Sequence, residues 1–191
     1  ILCRRNFDLD RLSSSLKEKG YPVEVVGGKG FYRAKEIIDT YKLLNALINH
    51  GEEYQNELIF TDYYKSSNSA RSITETFDEL IAEFRFVLRK ETVEEALSYI
   101  FDKTMILEYY RTKKQYQSIA NLNKLKDISR ELINKDNMQP IQFLEYLNIM
   151  ITSGQDEDEA EVSETERQNG VISIYSIHKA KGLSFPVVIV P

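Results

Sequence analysis

Strand-like sequence occurs near both ends of this 191-residue chain and is almost missing between them. Residues 1–26 contain two apolar runs separated by an amphipathic stripe, and residues 171–190 contain two β-branched apolar runs around a polar loop. From residue 34 to residue 151 the apolar positions recur with the spacing of α-helices. The sequence therefore predicts a mixed α/β, mostly helical protein, in which the two chain ends form a partial parallel sheet around an inserted all-helical subdomain.

The first 26 residues have the order strand, helix, strand. Leu9, Leu12 and Leu16 fall on one face of a helix that Asp8 could cap, and Gly20 suits a left-handed stop. An apolar run at 22–26 follows at once. Because a helix links the two strands, we expect them to run parallel.

The helical part carries explicit start signals. Thr92 and Glu95 have the spacing of a capping box, and Pro140 is suited to a first helical position. Residues 51–71 are polar and irregular, so we expect a loop whose aromatic side chains anchor it to the helices; the alternative is that they stack on single-stranded bases. The predicted partition is 1–33 with 171–191 for the α/β part and 34–152 for the helical subdomain.

Charge is concentrated in one tract. Residues 156–166 contain seven acidic side chains and no basic one, whereas the formal net charge of the whole chain is -5. Without that tract, basic residues slightly outnumber acidic ones, so the overall charge does not exclude a nucleic-acid partner. Scarce apolar residues and like charges predict a flexible acidic linker at 153–170.

Composition excludes several kinds of site. The single cysteine, Cys3, cannot form an internal disulfide, and with only two histidines no recognised metal-ligand spacing exists. The sequence also has no apolar run of membrane-spanning length and no signal-peptide pattern. It therefore predicts a cytoplasmic protein that binds no metal and does not enter a membrane.

The two apolar runs near the end of the chain, 171–177 and 187–190, are predicted to be strands. The loop between them contains His178, Lys181 and Gly182, followed by Ser184. In open parallel sheets, ligands bind beyond the carboxyl ends of the strands, where this loop would lie. A solvated turn with no ligand is the plainer interpretation of the same residues.

The string IHKAKGLSFPVVIV at 177–190 resembles the fifth motif of superfamily 1 DNA helicases of the UvrD/Rep type. It departs from the usual pattern at Ser176, where threonine is common, and at Ser184, where glutamate is usual. The opening ILCRRN resembles the fourth motif of the same family, with Arg4 and Asn6 on matching positions. Both motifs occur in the family's order. The segment around Ala120, Asn121 and Leu122 and the HKAKGL variant resemble the RecB/AddA helicase–nuclease branch of the family.

This resemblance implies that the α/β part belongs to the second RecA-like motor domain of a longer, ATP-dependent DNA helicase or exonuclease acting in repair or recombination. Arg4, Asn6 and His178 would contact the DNA backbone, and Lys181, Gly182 and Ser184 would face and couple the nucleotide cleft. ATP and Mg²⁺ would act in the parent protein, with no cofactor or catalytic residue in this segment, which we expect to be inactive alone.

The partners implied are single-stranded DNA, the other motor domain of the same polypeptide, and a partner subunit of the helicase–nuclease kind. An alternative of another class is a helical protein–protein interaction module that makes no DNA contact. An exposed apolar patch on the helical part would favour that alternative.

Overall fold

A computed structural model describes residues 1–27, 30–49, 52–70, 77–154, 157–168 and 170–191. The described chain divides into two compact units. Unit 1 comprises Ile1–Phe31, Tyr110–Asn121 and Asp156–Pro191, and unit 2 comprises Tyr32–Tyr109 and Leu122–Gln155. The elements are, in chain order, β1 (Leu2–Cys3), α1 (Asn6–Glu18), β2 (Val23–Val26), a 3₁₀ turn (Phe31–Arg33), α2 (Lys35–Asn49), α3 (Glu52–Leu58), α4 (Asp62–Ala70), α5 (Phe77–Lys90), α6 (Val93–Thr104), α7 (Ile106–Thr112), α8 (Tyr116–Asp136), α9 (Pro140–Ser153), α10 (Glu164–Arg167) and β3 (Ile172–Ser176).

The three strands form one parallel sheet in the order β1-β3-β2. Cys3 lies opposite Ser176, and Val23 lies opposite Ile172. The last strand of the sequence therefore lies between the first two, so that both chain ends contribute to one sheet. The predicted mixed α/β class with a small parallel sheet is confirmed.

Helix α1 covers this sheet through the predicted leucine face. Leu9 is fully buried among Cys3, Val23, Val25 and Ile174, and Leu12 and Leu16 pack at the edge of the same cluster. The helix begins at Asn6, two residues before the expected cap. Asp8 instead lies in the first turn, where its carboxylate accepts hydrogen bonds from Arg5. The predicted left-handed stop is present, because Gly20 has φ +82°.

Unit 2 is built from helices whose starts follow the sequence signals. The capping box is confirmed at α6, where the Glu95 backbone donates to the Thr92 hydroxyl and the Thr92 backbone donates to Glu95. Pro140 opens α9 as predicted. Large side chains that are fully buried in this unit include Ile37, Leu43, Leu44, Leu58, Tyr63, Leu80, Phe84, Leu97 and Phe143. None of the described helices is both long and apolar enough to cross a membrane.

The expected loop at 51–71 is wrong over its described part, since α3 and α4 lie there. A buried polar cluster explains the ordering. Lys35 contacts the carboxylates of Asp39 and Asp62, and Asp39 accepts a hydrogen bond from the Asp62 backbone at 2.8 Å. The buried hydroxyl of Tyr63 forms a 2.7 Å hydrogen bond with Thr40. Burial raises the pKa of the Tyr63 phenol, so the group stays neutral.

The second predicted strand, 187–190, is not part of the sheet among the described residues. Its backbone accepts one hydrogen bond, from Leu2 N to Ile189 O at 2.8 Å, and all four side chains are exposed. One hydrogen bond is too few for a β ladder, and the exposed side chains gain little from burial. Apolar, β-branched composition was therefore not sufficient to make this run a strand.

The expected acidic linker also differs from the structure. Residues 157–168, which we call the strap, belong to unit 1 and contain the short helix α10. Val162 is buried, and the amides of Gly30 and Phe31 both donate to the Glu157 carbonyl at 3.2 Å. The described part of the segment is thus packed on unit 1. The stretch Tyr110–Asn121, which the sequence placed in the helical subdomain, also belongs to unit 1.

Candidate nucleic-acid and nucleotide interface

Parallel pairing brings the two predicted DNA-contacting segments to one edge of the sheet. Arg4 follows Cys3 at the end of β1, and Cys3 pairs with Ser176 at the end of β3. The pairing continues one step further, because Ile177 N donates to Cys3 O at 3.1 Å. His178 is the next residue, so Arg4 and His178 both leave the sheet at its carboxyl edge. Both side chains are exposed.

A cationic cavity of about 390 Å³ adjoins this edge, and we call it the arginine pocket. Arg4, Arg5 and Arg11 line it together with Asp8, Ser15 and Cys3. Arg5 makes a paired contact with Asp8, with Nε–Oδ2 at 2.9 Å and Nη2–Oδ1 at 3.0 Å. This guanidinium lowers the pKa of Asp8, which therefore stays ionised and offsets one of the three positive charges.

Two residues of the arginine pocket were missed by sequence reasoning. Arg11 and Ser15 follow Asp8 by three and seven residues on α1, so all three fall on one helical face. That spacing was readable once the helix start was known. Asn6, in contrast, opens α1 with its backbone, and its side chain lies outside the described part of the structure.

The loop after β3 is a succession of turns. The Ser176 hydroxyl accepts from Lys179 N at 3.3 Å, Ala180 N donates to Ser176 O at 3.0 Å, and Leu183 N donates to Ala180 O at 3.1 Å. Ser176 therefore supplies the hydroxyl that a threonine would supply at this position.

Three predicted nucleotide residues, Lys181, Gly182 and Ser184, are exposed in this loop. Gly182 has φ +85°, a conformation that other residues adopt at a cost. Phe185 then anchors the loop by packing on Tyr175, with ring centroids 4.9 Å apart. The described residues bring these three groups to the same sheet edge as Arg4 and His178, but not into the arginine pocket.

Lys179 is the loop residue with the best defined environment, and sequence reasoning assigned it no role. Its ammonium donates to Asp158 of the strap at 2.8 Å, and this carboxylate raises the pKa of Lys179. The stem of Lys179 crosses Gly27, where a Cβ atom would lie 2.7 Å from Lys179 Cγ. Gly27 thus lets the lysine lie flat between the loop and the strap.

Two polar networks hold the strap against the sheet and α8. Asn121 Oδ1 accepts from Ala160 N at 2.9 Å and from Gln117 Nε2 at 3.2 Å, and Asn121 Nδ2 donates to Glu159 at 3.1 Å. Gln117 also accepts from Val25 N at 3.3 Å and donates to Ala160 O at 2.6 Å, which ties both β2 and the strap to α8.

The second network surrounds the buried carboxylate of Glu24, whose Oε1 accepts from Arg167 Nε at 2.8 Å and from the Ser173 hydroxyl. Glu24 raises the pKa of Arg167, which therefore stays cationic. Near both of its ends the strap is therefore hydrogen-bonded to side chains that belong to, or contact, β2 and β3.

Comparison with known protein families covers most of the chain. Residues 51–191 match the model of the UvrD-like helicase C-terminal domain. The chain belongs to this family. The predicted resemblance is confirmed, and the motif loop lies inside the matched range.

This UvrD-like domain aligns over its whole length with the ATP-dependent DNA helicase PcrA of Staphylococcus epidermidis, at 24% identity. It is 24% identical to an ATP-dependent helicase/nuclease subunit of Leuconostoc mesenteroides, again over its whole length. The ATP-dependent helicase/nuclease subunit of Bacillus pumilus is 27% identical over 93% of the chain. The chain spans 30% of the PcrA relative and 17% of each helicase/nuclease relative.

ATP and Mg²⁺ are expected in the parent protein, and the residues of this chain show which of their groups could contact either one. Lys181 and the turn at Gly182 offer a cation and backbone donors of the kind that phosphates accept from. Among the described residues, no group of three or more His, Cys, Asp or Glu side chains is arranged to hold a metal ion. The chain thus offers donors that fit one side of a nucleotide, and its described part offers no ligand set for Mg²⁺.

Proposed function

We propose that this domain acts in an ATP-dependent DNA helicase or helicase–nuclease, where it contacts the backbone of single-stranded DNA and forms one wall of the nucleotide cleft. The observation that carries the proposal is the register of β1 on β3. It brings Arg4 and His178 to one sheet edge beside the arginine pocket. The similarity to the ATP-dependent DNA helicase PcrA and to ATP-dependent helicase/nuclease subunits supports the same assignment.

The chemistry of the edge suits a phosphate backbone more than bases. Arg4 and Arg11 offer several fixed donors each, and arginine binds phosphate oxygens in pairs. Such contacts give position and affinity but carry no sequence information. We therefore expect binding that is independent of base sequence and sensitive to salt.

In the parent, the loop at 178–184 would join the two functions. Its first residue leaves the sheet at the DNA edge, and its later residues Lys181 and Ser184 face solvent, where a nucleotide and the other motor domain would meet them. Because Phe185 anchors the end of the loop on Tyr175, a shift of the loop would be passed directly to β3. This is the route by which ATP binding would move the DNA contacts.

The test is the salt dependence of binding to a fluorescent oligothymidylate, measured by anisotropy on the full chain. Removing one phosphate contact should lower the slope of log affinity against log salt by about 0.7. Arg4→Ala and Arg11→Ala should each show that decrease, whereas the control Lys135→Ala, in a surface pair with Glu131, should not. Equal slopes for Arg4→Ala, Lys135→Ala and the unmodified chain would refute the DNA edge and favour the protein-interaction alternative.

A further inference from the structure

Unit 2 contains an open groove of about 430 Å³ that has no part in the interface at the sheet edge. The C-terminal turn of α2, the end of α5 and the first turn of α9 line it. Its size lies within the range of ligand pockets. Five of its lining side chains are aliphatic or proline: Leu47, Ile48, Leu88, Pro140 and Ile141.

Gln139 and two arginines complete the lining. Arg85 and Arg89 are one helical turn apart on α5, so both reach the groove from the same side. Arg85 Nη2 donates to the Ala46 carbonyl at 3.1 Å, but its Nε is buried and has no acceptor among the described residues. A buried donor without an acceptor is costly, and a turn of the Arg85 guanidinium that brings Nε to an acceptor on a ligand would relieve that cost.

The groove therefore suits an anion beside its arginines and an aliphatic group against its apolar lining. Every side chain that lines its described part is apolar, amide or cationic, so no carboxylate there neutralises the two arginines. The last turn of α5 adds Lys90, whose ammonium lies 4.3 Å from the ring centroid of the exposed Phe86. Positive charge and apolar surface thus continue together along this helix.

We propose that this groove docks an acidic, aliphatic peptide segment of a partner protein. A carboxylate of the segment would pair with Arg85 and Arg89, and an aliphatic side chain one turn away would cover Leu88 and Ile141. Helical segments present such pairs on one face, which is how amphipathic helices bind grooves.

Two other occupants fit less well. A phosphate backbone would satisfy the arginines but would leave the five aliphatic and proline side chains against polar sugar and water. An alkyl carboxylate would have to leave part of its chain in solvent, because Ile141 is 54% exposed at the open rim. A peptide pairs short aliphatic groups with carboxylates at the spacing that the groove offers.

The experiment is a selection of displayed random peptides of about 12 residues on the full chain, followed by depletion on the Arg89→Glu/Ile141→Asp double variant. Selected peptides should pair Asp or Glu with Leu, Ile or Val about one helical turn apart. In anisotropy titrations, either single substitution should weaken their binding at least about tenfold.

Matched surface variants serve as controls. Ile149 is 57% exposed on the same helix as Ile141 but does not line the groove, so Ile149→Asp should change affinity less than about twofold. Lys135→Glu is the corresponding control for charge reversal. Circular dichroism of all four single variants checks that the fold is retained.

The proposal is overturned if no acidic–aliphatic peptide survives depletion, or if surviving peptides bind the Ile141→Asp variant as tightly as the unmodified chain. Displacement of the peptides by an oligothymidylate at the groove would assign it to nucleic acid. Competitive binding of sodium laurate tighter than any peptide would assign it to lipid. Either result would overturn the proposal, because the groove would then bind a ligand other than a peptide.

Discussion

Replacing Asn121 by alanine should release the strap from unit 1. Asn121 is fully buried, and its side-chain oxygen accepts from the backbone of Ala160 at 2.9 Å. The same oxygen accepts from Gln117, and the amide nitrogen donates to Glu159. The Asn121→Ala substitution removes all three bonds and leaves the Ala160 amide without its acceptor.

The magnitude follows from these contacts. An unsatisfied backbone donor costs about 1–3 kcal/mol, and the broken bond with Gln117 adds about 0.5–1.5 kcal/mol. Glu159 is only half-buried, so water replaces much of what that bond contributed. We expect a local loss of about 2–4 kcal/mol, which is a large share of an ordinary domain's stability.

Amide hydrogen exchange measures this loss locally, since the two units need not unfold together. The Phe31 amide is the reporter because it donates to the Glu157 carbonyl at 3.2 Å, away from the substituted residue. Its protection should fall roughly 30- to 1000-fold in Asn121→Ala. The control Asn148→Ala removes only an exposed 3.3 Å bond from Tyr41 and should cost less than about 0.5 kcal/mol.

A second substitution tests the Asn121 side-chain oxygen, which accepts hydrogen bonds, separately from its amide nitrogen, which donates one. Asn121→Asp keeps the oxygen that Ala160 and Gln117 donate to, but sets a carboxylate against Glu159. At neutral pH it should expose the strap to protease nearly as much as Asn121→Ala, and acidification should restore protection as the like charges are removed. Unchanged Phe31 protection in Asn121→Ala would refute the reasoning and restore the expected flexible linker.

Three further results are expected. Asp158→Asn should raise the affinity of the chain for an oligothymidylate about two- to fivefold at low salt, because it frees the Lys179 ammonium at the DNA edge; equal affinity would show that the lysine does not meet the backbone. Thr92→Ala should lower the stability of unit 2 by about 1 kcal/mol in urea unfolding, since it removes the α6 capping box, and a change below about 0.3 kcal/mol would contradict that role. The pKa of Glu94 is lowered by its hydrogen bond from Arg130, so the stability it contributes is present above the ordinary value of about 4.3 and is lost as pH falls through the lowered value. Glu94→Gln should therefore melt lower than the unmodified chain at pH 7 and equally at strongly acidic pH; a difference that persists in acid would contradict the assignment.

Local signals predicted local structure well. The leucine spacing on α1, the capping box at Thr92 and the proline at the start of α9 each depend on neighbours within a few residues, so the sequence contains the whole interaction. The same is true of β3, whose β-branched run begins just after Gly170. The two helicase-like motifs were likewise readable because each is contiguous.

Local signals also misled where the outcome depended on distant partners. The run at 187–190 has the composition of a strand, yet it makes only one backbone bond to β1 and no ladder among the described residues. The strap has the composition of a linker, yet Asn121, Gln117 and Glu24 hold it through contacts of 38 or more residues in separation. The sequence of the run at 187–190 does not show that a ladder will be absent, and the sequence of the strap does not show the side chains that hold it.

The candidate site, too, was predictable from sequence only where it depends on local motifs. The sequence by itself indicated the candidate site residues near the chain ends, because Arg4, His178, Lys181 and Ser184 lie in short motifs with fixed spacing. Only the tertiary structure decided that β3 lies between β1 and β2, that Cys3 pairs with Ser176, and that α1 adds Arg11 and Ser15 beside Arg4. Strand order and register are chosen by burial of one shared core across more than 170 residues of chain, as in the bond from the Ile1 amine to the Ser173 carbonyl, 172 residues apart. Strand order and register depend on contacts between residues so far apart that no single stretch of sequence predicts them.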